Sequence, residues 1–252
     1  MSISLAQAMF DEPLVLVDVA CTELADRLAR MGLYPGSELI RLQEEVFLQP
    51  VRVRGPRGDV VLPGGMASKV IVHHDDGHKT PVLEMLPGET GHIEGLVGGS
   101  FLSQSLEVLG IQEHDQIQMV RRVPPMDYLV RTAQSRVQLT ESMAAKIWGE
   151  MNGREMQLVM AGKNKTFKVK KILGGPRAHE RLQEAGIIPE CSVALESVMP
   201  AASTGIKDRD RIVLRADSGL RIFLRPDQAG DIRVYPLHKT SMNQDGGQSV
   251  RR

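Results

Sequence analysis

The sequence predicts a mainly β protein with short helices, arranged as three tandem small β-barrels. Three features support this prediction: an internal repeat, short strands rich in Val, Ile and Leu, and a helix that ends at the same glycine in each copy. The repeated segments are Leu28–Leu33, Leu106–Ile111 and Leu182–Ile187, and their glycines lie 78 and 76 residues apart. Similarity at a fixed period identifies a repeat architecture. A residue found in one unit only is therefore where function could have been added.

Each unit begins with a short apolar segment and a strand. The opening segments are Ile3–Ala8, Val82–Leu86 and Leu158–Ala161, and the strands that follow are Leu14–Val19, His92–Val97 and Thr166–Leu173. In the second and third units the strand ends in a Gly-Gly pair, whereas the first unit has Ala20 and Cys21 there. The conserved order indicates one architecture used three times.

A short helix follows in every unit. Thr22 and Ser100 are suitable N-caps, because a hydroxyl can accept from the free backbone N–H groups. Pro176 suits the first helical position of the third unit, where no N–H partner is needed. The repeated glycine is expected to adopt the left-handed conformation at the helix end, with the next apolar residue packed against the last turn. We interpret all three glycines as structural.

Short β segments separated by turns complete each unit, which is typical of a small antiparallel sheet closed into a barrel. The closing segments are Met66–Val72, Met143–Trp148 and Gln228–Val234. The third unit is longer, and we place its insertion as a hairpin loop at Pro200–Asp210. The predicted domains are 1–74, 80–149 and 156–237. The tail 238–252 lacks periodicity and is predicted to be disordered.

Composition excludes several classes of protein. Lys and Arg number 31, as do Asp and Glu, so the chain as a whole has no general attraction for nucleic acid. Two cysteines at unmatched positions do not indicate a disulfide framework, which fits a reducing compartment. No segment approaches the roughly 20 apolar residues that span a bilayer. We therefore expect a soluble, cytoplasmic protein without membrane insertion.

The order of these elements resembles the FeoA family. The first unit carries the resemblance best, in Met31–Gly36 (Met-Gly-Leu-Tyr-Pro-Gly) and Gly65–Val72, whereas the second departs from the pattern at Leu109–His114 and the third at Ala185–Glu190. The resemblance extends to about Leu237 and implies SH3-like barrels. It also implies a role in binding the cytosolic part of a FeoB-type ferrous iron permease and modulating transport.

The first linker offers the only candidate metal ligands. They are His73, His74, Asp75, Asp76 and His78, of which the imidazoles and carboxylates suit Fe2+ or another divalent transition metal. The alternative is a solvated polar linker, because adjacent ligands on one loop rarely complete a coordination shell. His92 could complete such a shell if the second unit folds back.

A basic run opens the third unit, at Lys163, Lys165, Lys168, Lys170 and Lys171. Binding of nucleic acid through this run would require more aromatic stacking partners and a larger positive charge. We favour a solvated strand face, with an acidic protein partner as the second interpretation. Trp148 is interpreted as core or packing between units rather than as part of a polyproline site.

No sequence motif supports catalysis: the Gly-Gly pairs lack the rest of a phosphate-binding loop, and no nucleophile elbow is present. We therefore expect no enzyme, and no certain cofactor. The predicted function is a non-enzymatic cytosolic module of ferrous iron transport, acting through protein–protein contact with a FeoB-type permease or a related partner. A metal-sensing module and a nucleic-acid adaptor are the alternatives. The units are expected to pack on each other, and a homo-oligomer is compatible with the sequence.

Overall fold

The computed structural model of the protein describes residues 2–201, 207–208 and 211–237, and the main architecture is three six-stranded sheets. The helices are α1 (Thr22–Arg30), α2 (Gly64–Ala67), α3 (Ser100–Val108), α4 (Glu141–Ala144), α5 (Pro176–Glu184) and α6 (Pro226–Gly230). Short 3-10 turns occupy Leu5–Gln7 and Leu158–Met160. The predicted class, mainly β with short helices, is confirmed.

The strands follow the predicted order in each unit. Those of the first unit and the start of the second are β1 (Ile3–Ser4), β2 (Pro13–Val19), β3 (Glu38–Leu42), β4 (Val46–Phe47), β5 (Val51–Gly55), β6 (Gly58–Leu62), β7 (Val70–His73), β8 (Lys79–Pro81), β9 (Thr90–Leu96) and β10 (Gln116–Arg122). The remainder are β11 (Met126–Arg131), β12 (Arg136–Thr140), β13 (Ile147–Met151), β14 (Arg154–Gln157), β15 (Thr166–Ile172), β16 (Ser192–Pro200), β17 (Lys207–Asp208), β18 (Ile212–Ala216), β19 (Arg221–Leu224) and β20 (Ile232–Pro236).

The three principal helices end as predicted. The repeated glycines have positive φ angles of 90°, 74° and 72° at Gly32, Gly110 and Gly186. The amide of the residue after each glycine donates back to the leucine carbonyl five residues earlier, as from Leu33 to Leu28 at 2.9 Å. The predicted N-caps are wrong by one residue, because Cys21 and Gly99 occupy the cap positions and neither makes a side-chain capping bond.

Every sheet combines strands from two different units of the sequence. The first sheet has the order β1-β20-β2-β3-β18-β19, the second β6-β5-β10-β9-β7-β8, and the third β12-β11-β16-β15-β13-β14. The closing strands of one unit thus pair with the opening strands of the next, and the third unit closes the sheet of the first. No sheet is confined to 1–74, 80–149 or 156–237, so these ranges describe the repeat in the sequence rather than the sheets.

The predicted closed barrels are wrong. Each strand order has two ends, and no pairing joins β1 to β19, β6 to β8 or β12 to β14 in the part of the chain that the structure describes. Most of the predicted insertion at Pro200–Asp210 lies outside the described residues, apart from the end of β16 and the two residues of β17, which pair with β4. The tail 238–252 also lies outside them.

The three hydrophobic cores follow the exchanged strands. In the first core Leu14 and Leu28 pack with Ile222 and Val234, which lie about two hundred residues later in the chain. The second core joins residues of β5–β7 to those of β9 and α3, and the third joins β11–β13 to β15 and α5. Apolar side chains that alternate along each strand reach these cores, as Phe167 and Val169 do from β15.

Neighbouring sheets meet at two tightly packed junctions. The first junction is formed by Ile71 on β7 and by Val97, which directly follows β9. Both come from the second sheet but belong to the first core. Leu173 and the half-buried Trp148 pack in the same way against the second core and form the second junction. The counterpart of Ile71 and Trp148 in the third unit is Arg233, which is exposed. In the part of the chain that the structure describes, the first and third sheets therefore have no counterpart of this apolar contact.

Candidate functional site

The predicted metal segment forms the tight turn between β7 and β8, where its side chains bond to protein groups. The His74 ring is 7% exposed, and its Nδ1 lies 3.0 Å from the Thr90 carbonyl oxygen, while Nε2 lies 2.9 Å from the Thr80 hydroxyl. A carbonyl only accepts, so Nδ1 donates to Thr90, and Nε2 shares a hydrogen bond with the Thr80 hydroxyl. Both nitrogens of His74 are thereby occupied.

The other histidines of the segment also have protein partners. The His78 ring stacks on His74 with centroids 4.0 Å apart, and its Nδ1 bonds to the carboxylate of Asp76. His73 Nδ1 lies 3.6 Å from Glu94, and the pKa of Glu94 is lowered chiefly by its hydrogen bond from Lys79. Among the described residues no group of three or more His, Cys, Asp or Glu side chains is arranged to hold a metal ion. The metal ligands therefore stay a prediction, and His92, opposite His73 on β9, adds none.

The basic run lies in and before β15, and two of its charges are paired. Lys168 Nζ lies 2.7 Å from Glu190, and Lys170 Nζ lies 3.3 Å from Glu150. The hydrogen bond to Glu190 raises the pKa of Lys168. Paired lysines present less free charge to a phosphate backbone. The strand face is therefore solvated and partly neutralised.

A large groove at the second junction is the strongest candidate for a binding surface, and we call it the α3 groove. It encloses about 920 Å³ between α3 and the third sheet. Its lining includes Phe101, Ser105 and Val108 from α3, and Trp148, Lys170, Lys171, Ile172, Leu173 and His179 from the third sheet and α5. Glu107, Glu155 and Glu190 also line it, so the groove joins apolar, aromatic, basic and acidic groups of two units.

Buried contacts fix the two walls of the α3 groove. Ser105 is 4% exposed, and its hydroxyl donates to the Phe101 carbonyl at 2.6 Å and accepts from the Gly174 amide at 2.9 Å. Next to it, Leu173 is 2% exposed and inserts into the second core. Trp148 lies at the groove with its indole N–H donating to Glu155 at 3.3 Å. The groove is therefore formed in advance of any partner.

Phe101 is a large exposed apolar side chain on the wall of the α3 groove. It is 50% exposed at the second position of α3, whereas the equivalent positions of the other helices carry Glu23 and Arg177. The matching groove at the first junction is lined by charged residues such as Glu23, Arg27 and Arg30 and has no aromatic side chain. Phe101 is not among the predicted site residues, although an aromatic side chain at this position in one unit only is a signal that could have identified it.

Comparison with known protein families gives one match. The model of the FeoA domain matches residues 3–74 and 80–151, which together make up more than half of the chain. The third unit is not matched, so the third copy rests on the repeat of its sequence and of its element order. No curated protein and no solved structure gives a significant match. Among the described residues, none of the helices is long and apolar enough to span a membrane.

Proposed function

From the premise that this chain belongs to the FeoA family, to which more than half of it matches, we propose that it is a cytoplasmic accessory protein of ferrous iron transport. Its partner in this proposal is the cytosolic part of a FeoB-type permease. The observation that carries the proposal is the α3 groove, a fixed surface with an exposed aromatic side chain. FeoA domains are non-catalytic, SH3-like accessory domains, which agrees with the expectation that the chain is not an enzyme.

The chemistry of the α3 groove suits a peptide segment with an apolar anchor and an acidic residue. Aromatic side chains in desolvated pockets carry most of the energy of protein interfaces. Phe101 and Trp148 supply such a pocket, and the exposed Lys171 supplies a positive charge beside it. Because strands shared between units fix the groove, binding would not require the units to be reoriented.

The test is anaerobic co-purification from native cells with solubilised membranes, comparing the wild-type chain with Phe101→Ser. We expect the wild type to retain a ferrous iron permease and Phe101→Ser to lose at least about nine-tenths of it, as expected when an interface anchor worth 1.4 kcal/mol or more is truncated. Leu86→Ser is the matched control, because Leu86 is 60% exposed outside the groove. Its recovery should equal that of the wild type.

Retention of the permease by Phe101→Ser would contradict the assignment of the groove, and recovery of soluble partners alone would contradict the transport role. The metal-sensing and nucleic-acid alternatives are not favoured by any contact described above. His74 has both ring nitrogens bonded, and two lysines of the basic run are paired.

A further inference from the structure

Charged side chains lie at both junctions, and at the first junction they are paired directly. Arg221 Nη1 lies 2.5 Å from a carboxylate oxygen of Glu84, and Nη2 bonds to Glu44. These three side chains come from three different units of the sequence. The carboxylates of this junction thus have partners within the protein.

The second junction contains a carboxylate that has none. Glu141, at the start of α4, is 3% exposed, and neither of its carboxylate oxygens has a hydrogen-bond partner among the described residues. Nε of Arg52 is also buried without a partner. Both side chains line a cavity of about 220 Å³, which we call the Glu141 cavity. Buried polar groups normally have hydrogen-bond partners, so the carboxylate of Glu141 and Nε of Arg52 are available to a ligand in this cavity.

Two arginines face Glu141 without reaching it. Arg52 on β5 and Arg121 on β10 are direct cross-strand partners, an arrangement in which like charges destabilise a sheet. Burial raises the pKa of Glu141 to about 7, and the two guanidinium groups oppose that rise. Arg121 is exposed, so the cavity reaches solvent beside it. A ligand can therefore enter at the arginine end.

Apart from the Tyr128 hydroxyl, the rest of the lining is apolar. It consists of Val61, Val123, Pro124, Met126, Val159 and Val198, together with the buried ring of Tyr128. Waters against the apolar wall would lack the two to four polar partners that each water requires. An apolar wall beside a carboxylate and two guanidinium groups instead suits a molecule with an apolar body and two opposite charges.

We propose that the Glu141 cavity binds a small α-amino acid with an apolar side chain, held as a zwitterion. The ammonium group donates to both oxygens of Glu141, and the ligand's carboxylate accepts from Arg52 and Arg121. The side chain lies against Val123, Val159 and Val198. None of its lining residues lines the α3 groove, so this site is separate from the proposed partner surface.

A ligand with only one of the two charges would leave polar atoms of the cavity without a partner. A simple carboxylate would separate the two arginines but leave the oxygens of Glu141 without donors. A simple amine would satisfy Glu141 but leave the buried Nε of Arg52 without an acceptor. Since leaving a buried charge unpaired is strongly unfavourable, the zwitterion is selected over both.

The test is isothermal titration calorimetry of the full chain with L-valine, L-leucine and L-methionine, and with isovalerate and isobutylamine as analogues that keep one charge each. We expect at least one of the amino acids to bind at least about tenfold more tightly than either analogue, which is the difference that one unpaired buried charge produces. Glu141→Gln and Arg52→Gln should each weaken that binding by a similar factor. Glu84→Gln, at the first junction, is the matched control and should bind like the wild type.

No heat from any of the three amino acids at millimolar concentration would overturn the proposal. Binding of isovalerate or isobutylamine as tight as that of the amino acids would also overturn it. Circular dichroism checks that each variant is folded, and the comparison of amino acids with analogues on the wild-type chain stands even if one variant fails to fold. The result is independent of permease binding, because Phe101→Ser leaves the Glu141 cavity intact.

Discussion

Glu141 makes the stability of the ligand-free protein depend on pH. Burial raises its pKa from 4.5 to about 7, so the folded state binds a proton more tightly than the unfolded chain does. Between about pH 4.5 and 7 the folded state therefore holds more protons, and the free energy of unfolding falls as the pH rises. Above about pH 7 Glu141 has lost its proton in both states, and the free energy of unfolding no longer falls through this group.

Urea unfolding at pH 5 and pH 8 measures this dependence. The wild type should be less stable at pH 8, and Glu141→Gln should lose part of that difference because its amide does not titrate. Glu23→Gln is the control, since the Glu23 side chain is 71% exposed on α1. An unchanged pH difference in Glu141→Gln would show that the carboxylate is solvated or paired in solution.

At this scale the sequence predicts residues that act locally and misses those that act across units. The positive φ of the repeated glycines and the burial of Phe167 and Val169 follow from neighbours a few positions away. Glu141 reads in the sequence as an ordinary polar residue at the start of a helix. Its facing arginines come from strands of another sheet, and a single sequence does not specify that contact.

Among the secondary-structure elements, the edge strands β6 and β14 are joined by one side chain. Gln157, which is fully buried, accepts from the Val61 amide at 2.8 Å and donates to the Val61 carbonyl at 2.7 Å. It also donates to the Ala145 carbonyl at 2.6 Å. This amide therefore satisfies three backbone groups where the second and third sheets meet.

Gln157→Leu keeps the approximate size of the side chain but removes all three hydrogen bonds. We expect a loss of about 3 kcal/mol in the free energy of unfolding, because each buried polar group left unsatisfied costs about 1–3 kcal/mol. Urea unfolding with circular dichroism measures the change. Gln138→Leu is the matched control and should change stability by less than about 0.5 kcal/mol, because Gln138 is exposed on the equivalent strand β12. Equal losses of stability in the two variants would show that Gln157 does not join the second and third sheets.

In the third sheet, the edge strand that corresponds to β6 is β12, and its side chain at the junction position is exposed. Val61 and Phe223, at equivalent positions of β6 and β19, are 1% and 2% exposed, whereas their counterpart on β12 is the exposed Gln138. Ser68 and Ala145 are fully buried, and their counterpart Gly230 is exposed. Polar or small residues thus replace apolar ones where the first and third sheets would meet. Terminal units of repeat proteins have such solvated faces.

For the whole molecule, the exchange of strands is what the sequence could not reveal. The repeat has the same period whether each unit folds on itself or pairs with its neighbours, so composition and spacing do not distinguish the two. A physical cause is visible in the segments that pass between sheets, which contain Pro50, Pro124, Pro125 and Pro200. The residue before a proline favours extended backbone, which suits a segment that crosses from one sheet to the next.

This exchange predicts which fragments fold. Residues 50–123 contain all six strands of the second sheet, with α2 and α3, although they span parts of two units. Residues 80–149 are one sequence unit but hold only half of each of two sheets. We expect the fragment 50–123 to be a monomer with one cooperative unfolding transition, because its core is nearly complete. The fragment 80–149 should fold only when copies associate and exchange strands.

Sedimentation and thermal unfolding of the two fragments at several concentrations separate these outcomes. The midpoint of 50–123 should be independent of concentration, whereas that of 80–149 should rise with concentration, as mass action requires for an associating chain. A stable monomer of 80–149 would show that the unit can close despite Pro124 and Pro125. The exchange would then be a consequence of linking three units in one chain. If both fragments behave as expected, the extended segments themselves direct the exchange, and the junctions that form the α3 groove and the Glu141 cavity are its products.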